Sequence, residues 1–113
     1  MGVDLTILPE SFDDVSFHML KLERDRSLWG AIEAAKIEHR ADKPVTCYLA
    51  RGDDGEATFG QLETTPYGDP MTWARAEDLR NVMSGGEIWG DNVWIFAALQ
   101  ALKPDHKIYL YWH

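Results

Sequence analysis

The side chains of this 113-residue chain that could do chemistry are four histidines, one cysteine and nineteen carboxylates. His18, His39, His106 and His113 form no His-x-x-x-His or His-Glu-x-x-His pair, so no helix face offers two imidazoles to a metal ion. Their isolation supports surface or half-buried roles. Cys47 stands inside Thr46-Cys47-Tyr48, a strand-like stretch where a small buried thiol is the usual occupant. Nucleophilic cysteines sit instead at strand ends or helix N-termini, which stabilise the thiolate. The chain has no Gly-x-Ser-x-Gly elbow, phosphate-binding loop or dinucleotide fingerprint. Gly85-Gly86 and Gly90 lack the preceding strand and the spacing of such a loop, and read as a helix stop and turn. No catalytic residue, metal ligand or cofactor is assigned.

Recognition chemistry is better represented. Two acidic concentrations fall in predicted loops, Glu10/Asp13/Asp14 and Asp53/Asp54/Glu56. Brought together, they would form a patch able to stand in for nucleic-acid phosphate and occupy a basic groove of a protein partner. Left apart, they are solvated loops. Arg51-Gly52-Asp53 resembles an adhesive tripeptide but sits where a hairpin turn is expected. Six of the thirteen aromatic residues lie in the last 25 positions (Trp89, Trp94, Phe96, Tyr109, Tyr111 and Trp112). Trp94 and Trp112 are expected in the core, with Trp89 and Trp29 nearer the surface. Should Trp29, Tyr67, Trp73 and Trp89 converge, they would line a pocket for a small molecule or nucleotide.

Composition narrows the classes. A net charge of -8 and a pI near 4.8 argue against direct nucleic-acid binding, which needs clustered Lys and Arg. Lys21, Arg24 and Arg26 come closest and are interleaved with Glu23 and Asp25. The excess is spread along the chain, -5 over residues 1–56 and -3 over 57–113. A single cysteine forms no internal disulfide and fits a reducing compartment. No apolar run approaches the roughly 20 residues needed to span a bilayer, and the N-terminus lacks a signal-peptide pattern. A mass of 12.9 kDa allows one domain that buries about two thirds of its surface.

Those residues need elements to hold them. Val3, Leu5 and Ile7 alternate with polar neighbours, predicting a strand that Pro9 ends. A second strand is expected around Ser16 to Leu22. Leu28, Ala31, Ile32, Ala35 and His39 share a helical face, giving a helix from about Ser27 to His39 capped by Asp25 or Ser27. Val45 to Ala50 and Ala57 to Glu63 read as a hairpin joined through an Asp-Gly turn. Thr65-Pro66-Tyr67-Gly68 is a turn, Met71 to Trp73 an extended piece, and Arg75 to Met83 a helix stopped by Gly85-Gly86. Asp91 is placed to cap a helix from Asn92 to Leu102 that is apolar almost all round, so it is either buried on several sides or covers a partner. Lys107 to His113 forms a closing strand expected inside the sheet. The order gives an α+β domain over residues 1–113: a mainly antiparallel sheet of about five strands with two to three helices on one face.

Three stretches, Met1-Gly2-Val3-Asp4-Leu5, Thr64-Thr65-Pro66-Tyr67-Gly68-Asp69-Pro70 and Leu110-Tyr111-Trp112-His113, give the chain as a whole a resemblance to small proteins encoded by bacteriophages and prophages. The resemblance implies a bacterial host cytoplasm and an accessory rather than a virion role; it brings no activity, cofactor or site residue. Together these readings predict a non-enzymatic accessory protein that acts by protein–protein contact, as an antagonist of a host defence or regulatory protein whose basic or nucleic-acid-binding surface meets the acidic loops. The alternatives are the aromatic-lined pocket, as a binder or small enzyme, and a homodimer formed through the last helix.

Overall fold

The computed structural model describes residues 2–113. β1 (Leu5–Pro9) is the predicted first strand. The expected second strand is two separate pieces, β2 (Val15–Ser16) and β3 (Leu20–Lys21), which belong to different sheets. α1 (Arg26–Ala35) follows, then β4 (His39–Arg40), the hairpin β5 (Val45–Arg51) and β6 (Ala57–Leu62), and β7 (Thr72–Arg75). α2 (Ala76–Ser84), α3 (Asn92–Gln100) and β8 (Lys107–Trp112) complete the chain.

The five-stranded sheet runs β3-β1-β8-β7-β4, and every pairing in it is antiparallel. The closing strand β8 lies at its centre, as its apolar sequence requires. The fold is therefore α+β, with a three-stranded sheet, β2-β5-β6, that the sequence did not announce. In that sheet β2 runs parallel to β5, a non-local pairing without a turn signal to betray it.

Strand alternation sends side chains to two cores. Leu5 and Ile7 of β1, Ala74 of β7, and Ile108 and Leu110 of β8 face the helices, where Leu28, Ile32, Leu79, Met83, Ile95 and Leu99 meet them. Leu8, Met71 and Tyr109 face the other way, onto Val45 and Cys47 of the three-stranded sheet. This explains why Leu5, Thr6, Ile7 and Leu8 are all buried. A central strand covered on both faces cannot show a polar side. All three helices pack on one face, as expected; the second sheet takes the other.

Two helix boundaries moved for local reasons. Asp25 caps α1, its Oδ1 accepting from the N–H groups of Ser27 and Leu28 at 3.0 and 3.2 Å, which satisfies two orphan donors. The helix ends four residues short of the expected His39 because Lys36 turns left-handed (φ 52°), and His39 joins β4 instead. Asp91 does not cap α3 with its side chain; its Oδ1 accepts from Trp94 Nε1 at 3.3 Å. The placement of Trp94 in the core is corrected: Asn92, Ile95 and Leu99 take the buried face, leaving Val93 and Trp94 56% and 51% exposed. Trp112 is partly buried against the helix-side core. No helix among the described residues is long and apolar enough to cross a membrane.

Candidate functional site

The most unusual surface begins with a tight turn. Phe12 O accepts from Val15 N at 2.7 Å, and both central residues, Asp13 (φ 33°) and Asp14 (φ 62°), are left-handed. Two-residue turns of this kind favour Asn-Gly, and a side chain at each position costs on the order of 1 kcal/mol. The surroundings offset that cost. Glu10 Oε1 accepts from Asp14 N at 2.7 Å, and Asp14 O accepts from Thr46 N at 3.0 Å. The Asp14 carboxylate accepts a hydrogen bond from Tyr109 Oη and from Lys107 Nζ at 3.3 Å, with Lys43 Nζ 3.7 Å from its other oxygen.

These bonds shift both partners in opposite directions. The Tyr109 hydroxyl, with smaller help from the two lysines, holds the Asp14 carboxyl below the usual carboxylate range despite partial burial. Burial, then the bond to Asp14, pushes Tyr109 well above the ordinary tyrosine range. Tyr109 is thus a fixed donor and Asp14 a fixed acceptor, and the pair ties the 10–15 turn to the central strand β8.

The tied turn presents aromatic rings. Phe12 packs on Phe17 with centroids 5.8 Å apart, and Phe17 reaches Tyr48 at 6.1 Å and Phe59 at 5.9 Å. Tyr48 and Phe59 face each other across the β5–β6 register and meet edge-on at 5.8 Å. Such tilted and edge-to-face pairs are favourable geometries for aromatic rings. Yet Phe12, Phe17 and Phe59 remain 59%, 38% and 45% exposed. A connected cluster of rings this exposed goes beyond the scattered apolar residues of an ordinary surface.

The two acidic loops flank this face without meeting. Asp14 adjoins Thr46 at the start of β5, while Asp53, Asp54 and Glu56 occupy the turn beyond Arg51. Five strand residues separate these ends, about 17 Å at the strand rise. The sites also differ in availability. Asp13, Asp53, Asp54 and Glu56 are exposed, although Asp54 Oδ1 accepts from Glu56 N at 3.0 Å within the turn. Asp14 and Glu10 are engaged inside the chain. Beside the rings, β6 is the outer strand of its sheet. Its sequence, Ala-Thr-Phe-Gly-Gln-Leu, holds no charge or proline to guard the open edge.

The four candidate pocket aromatics do not converge. Trp29 donates to Val3 O at 2.8 Å and meets Trp112 edge-on at 5.6 Å, and these two indoles line a cavity of about 460 Å³. Trp73 stacks on His39 at 4.4 Å, with Lys107 Nζ 4.9 Å from its ring. Trp89 Nε1 donates to Asp25 Oδ2 at 3.2 Å, and Tyr67 stands exposed on the 65–68 turn. Cys47 is buried, which pushes its thiol up from its ordinary value. Among the described residues, no group of three His, Cys, Asp or Glu side chains could hold a metal ion.

Sequence reasoning missed Phe12, Phe17, Tyr48 and Phe59. Alternation with buried Val45 and Cys47 could have placed Tyr48 outward, and the Asp-Gly turn could have paired it with Phe59. The two phenylalanines of the 10–19 segment arrive only through the parallel β2–β5 pairing. The chain matches no family model, no curated protein sequence and no solved structure.

Proposed function

We propose that this chain is a non-enzymatic binding protein that captures a basic protein partner on the aromatic face of the three-stranded sheet. One observation carries the reading: a connected cluster of four rings, three of them exposed, stands between two acidic turns and beside an unguarded strand edge. Aromatic side chains provide large contact area and are the common anchors of protein interfaces. The exposed acids, Asp53, Asp54 and Glu56 at one end and Asp13 at the other, select a partner with positive charge, chiefly at the 53–56 end. An extended segment of that partner, hydrogen-bonded to β6 and carrying Lys or Arg, satisfies the edge and the acids together.

Nucleic-acid-binding proteins present such basic surfaces, and the resemblance to phage and prophage proteins favours a host protein of that class. Bound there, this chain would act as its antagonist by placing carboxylates where phosphates belong. Two copies of the chain are a poorer fit, since each brings a charge of -8 to the contact.

The test is affinity capture from a bacterial lysate with the native chain and two variants, F17A/F59A and D53N/D54N/E56Q. A partner retained by the native chain, lost with the first variant and less salt-dependent with the second supports the reading. Retention unchanged in F17A/F59A overturns it.

A further inference from the structure

We propose a ligand site in the groove between α1, α2 and the 85–92 segment, shaped for an elongated lipophilic molecule ending in an uncharged head that both donates and accepts hydrogen bonds, such as a primary amide. The groove holds about 610 Å³, inside the range of small-molecule sites. Its lining runs from Asp25 to Ala35, the length of α1, or about 15 Å. A slender lipophilic chain can lie along this length.

The walls are apolar and small: Leu28, Ala31, Ala34 and Ala35 on one side, Val82, Met83 and Ile88 on the other. Polar groups gather at the Asp25 end. Asn92 is 2% exposed, and its Oδ1 accepts from Glu23 N at 2.8 Å. Its Nδ2 meets no acceptor among the described residues and reaches solvent through the groove that Asn92 lines. An amide donor that keeps solvent contact on a residue lining the groove is open to an acceptor carried by a ligand. Two positions along the chain from Glu23, Asp25 Oδ2 receives only Trp89 Nε1 and keeps capacity for one more donor.

Charge completes the assignment. Asp25 and Glu87 line the groove, and no Lys, Arg or His does. A carboxylate or phosphate head would meet like charge with no cation to balance it. A head carrying C=O for Asn92 and N–H for Asp25 matches both. The site involves none of the residues of the aromatic face, so either proposal can fail alone.

Three eight-carbon probes differing only in the head separate the possibilities: octanamide, octylamine and octanoate, titrated calorimetrically into the intact chain. Octanamide is expected to bind saturably at one site, with octanoate at least tenfold weaker and octylamine between them. Ala34→Phe fills the groove from an exposed helix position and is expected to weaken octanamide at least tenfold, with the melting temperature of the free protein unchanged. Ala31→Leu, also exposed, is expected to act in the same direction. Absence of saturable octanamide binding, octanoate or octylamine binding at least as tightly, or binding insensitive to both substitutions would overturn the proposal.

Discussion

Asp14 and Tyr109, 95 positions apart, share a hydrogen bond that joins a strained turn on one sheet to the central strand of the other. Tyr109 is fully buried, so its hydroxyl depends on this single carboxylate. Asp14 in turn holds a left-handed backbone that would relax without its partners. The ring cluster of Phe12 and Phe17 hangs from this bond.

Asp14→Asn separates charge from conformation, because asparagine tolerates a positive φ as well as aspartate does. The variant keeps an acceptor for Tyr109 but loses the ionic contacts with Lys107 and Lys43. A loss of about 1–2 kcal/mol is expected in urea denaturation. Tyr109→Phe is expected to cost a similar amount, and the double variant less than the two together.

The same carboxylate sets an acid limit. Its folded pKa lies below the ordinary value of 3.8, so the unfolded chain binds a proton more readily. The stabilisation is complete above about pH 5 and drains away as pH falls through the folded value. Melting curves between pH 3 and 6 should show a steeper acid decline for the native chain than for Asp14→Asn.

Lys36 ends α1 at φ 52° with no glycine to ease it. Lys36→Gly removes a left-handed penalty of on the order of 1 kcal/mol and returns part of it as unfolded-state entropy. A net gain of about 0.5 kcal/mol is expected, read as a rise in the urea midpoint at constant slope.

Leu5 is fully buried where β1 meets the helices. Leu5→Ala is expected to cost about 2–5 kcal/mol through lost burial and the cavity left behind. Phe17→Ala, on the exposed ring cluster, should cost far less in stability; its effect belongs to partner binding. Denaturation of the two variants side by side checks this contrast between a core leucine and a surface aromatic.

What the sequence determined by itself was local. Alternation placed β1, strand-like composition placed β5, β6 and β8, the Asp-Gly turn joined the hairpin, and Asp25 marked the start of α1, because each signal depends on neighbours a few residues away. The α+β class followed from their order. The end of α1 was already beyond reach, since Lys36 adopts a conformation its type does not advertise. Tertiary structure alone decided the rest. It split the 16–22 stretch between two sheets, engaged Asp14 with Tyr109 and two lysines, and kept the acidic loops at opposite ends of β5. Phe12 and Phe17 came beside Tyr48 and Phe59 through a parallel pairing that closes a loop of some thirty residues with no turn to mark it. Trp94 shows the same limit from the other side: in a helix apolar all round, composition cannot say which face is buried. Packing against α2 and the helix-side core chose Ile95 and Leu99.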